Sequence, residues 1–206
     1  GVAVVLENFE VDSDGGYRRI NGFAPFGGAS ATRPNSANAI LGLFVYADGL
    51  VACSGTNIYF TLDGITWLQI NRASVASGGD DYSAFTGRST LARTSQSQCN
   101  FTLYEGDTAY GELIITDESS ATKPFYFKMT GTGALNNRTY FAKEITVSGT
   151  VYPKVCTIHD KHLVVAGDSN NPNTIYYSGT SDIDDFSSSG SGSIKLDDKV
   201  VGISSF

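Results

Sequence analysis

Apolar residues in this chain come in short runs bounded by Gly, Asn, Asp or Ser. The runs are Val2–Leu6, Leu41–Tyr46, Leu50–Cys53, Ile58–Leu62, Trp67–Ile70, Asn100–Tyr104, Gly111–Thr116, Phe125–Met129, Tyr140–Val147, Val155–Ile158, Leu163–Ala166, Thr174–Tyr177, Ser193–Leu196 and Val200–Ser204. They are rich in β-branched and aromatic residues, and their length fits strands. Alternation with period two is clearest at Phe125-Tyr126-Phe127-Lys128-Met129 and at Ile145-Thr146-Val147. No window keeps the i, i+3, i+4, i+7 spacing of an amphipathic helix for three turns, and 23 glycines leave little room for a long helix. Single helical turns are expected at most near Asn35–Ile40 and Ser89–Arg93.

One pattern occurs twice. Ala47 to Trp67 (ADGLVACSGTNIYFTLDGITW) is echoed by His159 to Phe186 (HDKHLVVAGDSNNPNTIYYSGTSDIDDF). Each copy has an acidic turn residue (Asp48, Asp160), an apolar run ending in Gly, and a strand containing Ile-Tyr. A Gly/Asp turn and an aromatic (Trp67, Phe186) follow. A hairpin unit of this kind leaves one apolar face that it cannot bury alone, so its recurrence predicts small sheets packed face to face. The stretch between the copies, Ala92 to Gly131 and Arg138 to Val155, reads as at least one further sheet. Ser77–Arg88 and Ser187–Ser193 read as loops, neither of them long enough for a domain linker. The expected fold is all-β, a propeller-like array of small antiparallel sheets. It forms one region over residues 1–206, with blade-like units at about 47–70 and 159–196.

Composition narrows the function. The chain is 41% apolar and 12% aromatic, ample for a packed core. No apolar stretch approaches the roughly 20 residues that span a bilayer as a helix. No targeting signal is legible, and Lys199–Phe206 reads as the opening of another strand, so the chain is expected to be a piece of a longer protein. The net charge of −7 opposes a sequence-independent grip on nucleic-acid phosphates. An acidic surface past which DNA slides is compatible with that charge. Cys53, Cys99 and Cys156 make no CxxC pair and are odd in number, which argues for free thiols in a reducing compartment. Cys53 and Cys156 lie within apolar strand patterns as small hydrophobes. The sequons Asn100-Phe101-Thr102 and Asn137-Arg138-Thr139 have no secretory context to support them.

Candidate chemistry is sparse. His159 and His162 flank Asp160 as HDKH; an i, i+3 pair on one strand points to opposite faces, so an exposed turn is expected rather than a metal site. Asp12-Ser13-Asp14-Gly15-Gly16 begins like a calcium loop, but the Glu required near Asn21 or Gly22 is absent, and a Gly-rich hairpin turn fits better. The acidic pairs Asp80-Asp81, Asp184-Asp185 and Asp197-Asp198 sit in loop-like stretches where solvated carboxylates are ordinary. No catalytic, cofactor-binding or metal-binding residue is assigned. Thr61-Leu62-Asp63-Gly64-Ile65-Thr66-Trp67 resembles the Asp-box of sialidases and related propellers, one residue short between Asp and Gly. That resemblance implies a hairpin turn built by Asp63 and Gly64 and a Trp67 packed between blades.

Larger stretches carry a family resemblance. Glu7 to Phe23 (ENFEVDSDGGYRRINGF), the unit Leu50 to Trp67, Ala109-Tyr110-Gly111 through Pro124-Phe125-Tyr126-Phe127, and the HLVVAG, NPNTIYYSG and KVVGISSF segments from His162 to Phe206 resemble the tail nozzle, or tail tubular protein B, of short-tailed phages and related packaged-DNA stabilisation proteins. The resemblance implies a propeller-like virion protein, in a ring of about six copies below the portal and adaptor. Such a ring closes the DNA channel and lets DNA pass. The family offers no catalytic residues to carry over, and its members are longer than this chain. Arg18 and Arg19 are then expected at contacts between copies. The rival expectations are a carbohydrate-recognising propeller or tail adhesin using Tyr82, Phe85 and Tyr140, and, less favoured, a glycoside hydrolase.

Overall fold

A computed structural model of the chain describes residues 9–11, 17–19, 32–34, 38–70, 96–106 and 110–204. The expected strand at Val2–Leu6, the helical turn at Ser89–Arg93, the turn residues 12–16 and the loop Ser77–Arg88 lie outside them. β1 (Phe9–Val11) and β2 (Tyr17–Arg19) pair antiparallel on either side of the Asp12–Gly16 stretch. The remaining strands form three four-stranded sheets. The first holds β3 (Ile40–Tyr46), β4 (Gly49–Ser54), β5 (Asn57–Thr61) and β6 (Leu68–Gln69). The middle sheet holds β7 (Cys99–Tyr104), β8 (Glu112–Asp117), β9 (Phe125–Thr130) and β10 (Thr139–Glu144). The third holds β11 (Val155–His159), β12 (His162–Ala166), β13 (Thr174–Tyr177) and β14 (Gly192–Lys195).

Within each sheet the spatial order is the sequence order and every pair is antiparallel, so all three are meanders without a crossover. Helix is confined, among the described residues, to one 3₁₀ turn at Leu135–Asn137. No helix among them is long and apolar enough to cross a membrane. The chain is thus all-β, built of small antiparallel sheets.

Two expected strands are different. The run Tyr140–Val147 ends its strand at Glu144; Ile145 carries the same register one step further by giving its amide to Pro124 O at 2.8 Å, and residues 146–147 are in no strand. Ile145 and Val147 are then buried as plugs without a ladder. Val200 makes one backbone bond, to Pro172 O at 2.8 Å, and residues 201–204 pair with no strand. Without a neighbouring edge, β propensity alone does not make a strand.

The stacking follows from side-chain alternation. Tyr46, Val51, Cys53, Ile58 and Phe60 point from the first sheet toward the middle one. They meet Leu113, Ile115, Phe125, Phe127, Met129 and Tyr140 in one core. Phe127 lies 5.3 Å from Tyr46, 5.9 Å from Phe60 and 6.2 Å from Tyr140, centroid to centroid. On the reverse of the middle sheet, Ile114 and Tyr126 pack with Leu163, Val165 and Ile183 in a second core that the plugs Ile145 and Val147 complete. Between sheets the backbones approach most closely at the first strands, β3 against β7 and β11 against β7 and β8.

Tyr46 fastens the first seam. Its hydroxyl donates to Gly111 O at 2.8 Å and accepts from the Met129 amide at 3.2 Å, all buried. Burial raises its pKa well above the usual phenol value, so it stays the neutral donor this geometry needs. Gly111 sits at φ +71°, where a Cβ would come within 2.7 Å of Tyr104 O. Across the β3–β4 turn from Tyr46, a Cβ on Gly49 would lie 2.3 Å from Thr61 O. Tyr46→Phe keeps the ring but leaves a buried carbonyl and amide unpaired, so urea denaturation is expected to report a loss of about 1–3 kcal/mol with an unchanged m-value. A loss below about 0.5 kcal/mol would show that the hydroxyl does not fasten the seam.

Candidate functional site

The histidine hairpin departs from the alternation rule. His159 and His162 are direct cross-strand partners flanking a two-residue turn, so they share one face. The i, i+3 argument fails because the turn reverses the chain between them. Asp160 and Lys161 both take positive φ, +45° and +63°, as a tight hairpin of this type demands. His162 Nδ1 lies 2.5 Å from Ser178 O, which can only accept, so Nδ1 carries the proton. Nε2 then accepts from Thr180 Oγ1 at 3.2 Å, and the ring stands edge-on to Tyr177 at 5.9 Å. With both nitrogens engaged, His162 is a structural residue. No three His, Cys, Asp or Glu among the described residues are grouped to hold a metal ion.

That hairpin closes one end of a groove of about 510 Å³ on the side of the third sheet facing away from the middle sheet. Val164, Ile175, Tyr177 and Ile194 form its floor, and Ile203 and Ser204 border it. The register accounts for the lining. Val164 pairs with Tyr177 and Ile175 with Ile194, so these side chains share a face, while Leu163, Val165 and Tyr176 point the other way into the second core.

A second, polar cleft of about 310 Å³ lies where the reverse of the middle sheet meets the β13–β14 connection. Glu112, Lys128, Lys143, Asp182 and Asp184 converge there. Lys143 Nζ contacts Asp184 Oδ2 at 2.5 Å, tying β10 to the third sheet, and Lys128 sits 3.7 Å from Glu112 and 5.3 Å from the centre of the Tyr126 ring. The hydrogen bond to Asp184 pushes the Asp182 pKa up. Burial works to raise Asp184, but Lys143 and Asp182 outweigh it and hold that carboxyl below the usual range. Burial raises Glu112, and Lys128 opposes it. The Asp184-Asp185 pair is therefore split. Asp184 enters the cleft, whereas Asp185 folds a turn by accepting from the amides of Ser187 (2.8 Å) and Ser188 (3.1 Å). Asp197 and Asp198 are exposed, and Asp80 and Asp81 lie outside the described residues.

The acids of the repeated pattern have different roles. Asp48 occupies the second turn position of its hairpin and Asp160 the first of its own. Asp48 receives both terminal nitrogens of Arg138, at 2.6 Å each, in a fork across the first seam. Arg138 is buried and also donates from Nε to Gly133 O at 2.9 Å. Its guanidinium holds the Asp48 carboxyl below the ordinary 3.8. Sequence reading overlooked this clasp and the Tyr46 anchor, since 90 residues separate the first pair. The only local signal was an Asp in the turn.

Other expected residues have plain structural uses. Asp63 Oδ1 accepts from the amides of Ile65 and Thr66 at 2.8 Å, building the turn that the Asp-box pattern implied. Trp67, by contrast, lies outside the sheet-to-sheet core and donates from its indole to Thr32 O at 3.2 Å. Its counterpart Phe186 does pack against the second core. Asn100 donates to Lys154 O at 2.9 Å, joined there by Thr116 Oγ1 at the same distance, across the second seam. Cys53 is buried in the first core, burial pushes the Cys156 thiol up to about 12, and none of the three cysteines is in a disulfide. Tyr140 is 3% exposed and cannot line a sugar site, while Tyr82 and Phe85 lie outside the described residues.

Comparisons of the chain with protein-family models, with curated proteins and with solved structures found no match.

Arg138→Ala is expected to cost about 2–3 kcal/mol in chemical denaturation, less than a fully buried pair because Asp48 is half in water. Asp48 and Asp184 have lowered pKa values, so the stability they add is present above the unfolded aspartate value and lost as pH falls through the folded one. Asp48→Asn should lower the urea midpoint at pH 7 and flatten its fall below about pH 4. Asp182 is raised, so its charged form is disfavoured in the fold. Asp182→Asn should raise the midpoint at pH 7 and leave it unchanged at about pH 3. Equal midpoints for wild type and Asp182→Asn at both pH values would refute the raised pKa of Asp182.

Proposed function

We propose that this chain is a propeller-type structural scaffold of a phage tail or head-to-tail assembly. In this reading it is a nozzle or tubular protein that forms or closes the DNA exit channel, in a ring of about six copies joined to the adaptor and other tail proteins. One observation carries the proposal: three successive four-stranded meanders stack face to face with their first strands drawn together. That arrangement is how propeller blades are built, each leaving short edges that neighbours protect.

Two further features support it. The first strands β3, β7 and β11 contain no Asp, Glu, Lys or Arg, so the line along which the sheets converge is an uncharged seam. A DNA path then runs along the faces of a ring of copies, where the net charge of −7 discourages sticking, rather than through the stack itself. The carboxylates of the polar cleft are matched to Lys128 and Lys143 or to each other. This fits a seam between sheets better than a hydrolytic pair, and the proposal assigns no catalytic activity. The adhesin reading loses Tyr140 to the core.

Light scattering of the purified protein, with electron micrographs of the native assembly, tests the reading. A closed ring of about six copies attached to other virion proteins is the expected result. A stable monomer that binds glycans and never enters a virion would overturn it.

A further inference from the structure

Among the described side chains, exposed apolar surface gathers at the two ends of the stack. Among the described residues the exposed large hydrophobic side chains are Ile40, Leu43 and Val45 on β3, Ile65 in a turn, and Ile194, Leu196 and Val201 in or after β14. None of these described side chains belongs to the middle sheet. On the first and middle sheets, the face pointing to the next sheet in the chain is buried by that sheet. On the third sheet the corresponding face is the open groove floored by Val164, Ile175, Tyr177 and Ile194.

We propose that this groove is a docking surface for a second copy of the chain, which seats the Ile40, Leu43 and Val45 stripe of its β3 there, head to tail. The groove is the third sheet's counterpart of the two faces that the first and middle sheets bury against an apolar sheet, so an apolar β element is the occupant that fits it. At the other end, Leu43 pairs with Ala52 and Val45 with Leu50, which places both side chains on the side of β3 facing away from the middle sheet. Val45 is 71% exposed and Leu43 54%, while Ala52, Ser54 and Thr61 on the same face are buried. What remains open there is a stripe rather than a sheet face, and a stripe is what a groove accepts. Neither surface carries a Lys or Arg, and Asp160 at the groove rim is the one acidic group on either. Little charge therefore has to be desolvated, and a nucleic acid finds no cation there. Different patches meet in such a contact, so it propagates and closes as a ring when the rotation allows.

The proposal rests on the ring reading above only in that both require copies to associate. Sedimentation of the full chain from about 1 to 100 µM, a range that resolves weak self-association, tests it with Val45→Lys and Ile194→Lys. Both positions face solvent, and circular dichroism checks that the fold is kept. The milder Val45→Thr and Ile194→Ser serve if either lysine variant unfolds. Wild type is expected to associate, and each variant alone to sediment as a monomer. An equimolar mixture should form a particle of two copies and no larger, because each variant keeps one intact surface. Association that survives both substitutions, or a mixture that stays monomeric, overturns this contact and leaves the ring reading standing. A wild-type monomer at every concentration also overturns the contact, and micrographs of the native assembly then decide the ring separately.

Discussion

The middle sheet is apolar on both faces, and each needs a cover. Along β8, Leu113 and Ile115 point one way and Ile114 the other, and all three are fully buried. β9 repeats the arrangement with Phe125, Phe127 and Met129 opposite Tyr126. An antiparallel sheet with one apolar face needs a single cover, whereas a sheet with two must be sandwiched. Burying a side chain of this size contributes roughly 1.5–3 kcal/mol, so neither flanking sheet is dispensable. The rest of the architecture answers that requirement. The first sheet supplies one cover and the third the other, and the residues past β10 leave their ladder to plug the second core.

Apolar faces attract without choosing an alignment, and the polar contacts of each seam supply the choice. Tyr46 reaches the backbone at two points of the middle sheet, and the Arg138 fork accepts only a carboxylate in its plane. On the other side, Lys154 O is held by Asn100 and Thr116, and Lys143 by Asp184. A slip of one residue would unpair these groups in a dry environment, where an unmade hydrogen bond costs more than a made one contributes. Each seam is therefore held in one setting. The carboxylates and lysines that look like chemistry in the sequence serve mainly as registration marks.

Much of the fold was legible because its signals are local. Twelve strands of the three sheets match runs of alternating or β-branched residues, and the turns between them carry Gly, Asp or Asn everywhere but between β8 and β9, where Glu118 to Pro124 rely on Ser, Thr and Pro. The recurrence of the Ala47 and His159 units marked the first and third sheets. Failures arose where the outcome depends on something distant. Ile145-Thr146-Val147 alternates like a strand, but its pairing ends once Ile145 has bonded Pro124 O. His159 and His162 bound the exposed turn expected of them, but the reversal of the chain puts them on one face, which the alternation rule for a single strand does not foresee. Asp48 and Asp160 align in sequence yet occupy different turn positions, so one clasps Arg138 and the other bounds a groove. Trp67 matches a pattern in which the ring sits between sheets, and here it anchors Thr32. The candidate surface was the least legible part, because its residues qualify only through what does not cover them.

The first seam also imposes an order on synthesis. Each meander pairs strands that leave the ribosome one after another, so the first sheet has all its strands once Gln69 has emerged. The far side of its core, from Leu113 to Tyr140, comes later by about seventy residues at its last member. At roughly 5–20 residues per second, Tyr46 and Phe60 stand open for about 4 to 14 s on every nascent chain. The same delay leaves the Asp48 carboxylate without its guanidinium. A protein whose strands pair locally and whose sheets close late thus spends its most aggregation-prone interval as a finished sheet waiting for its neighbour.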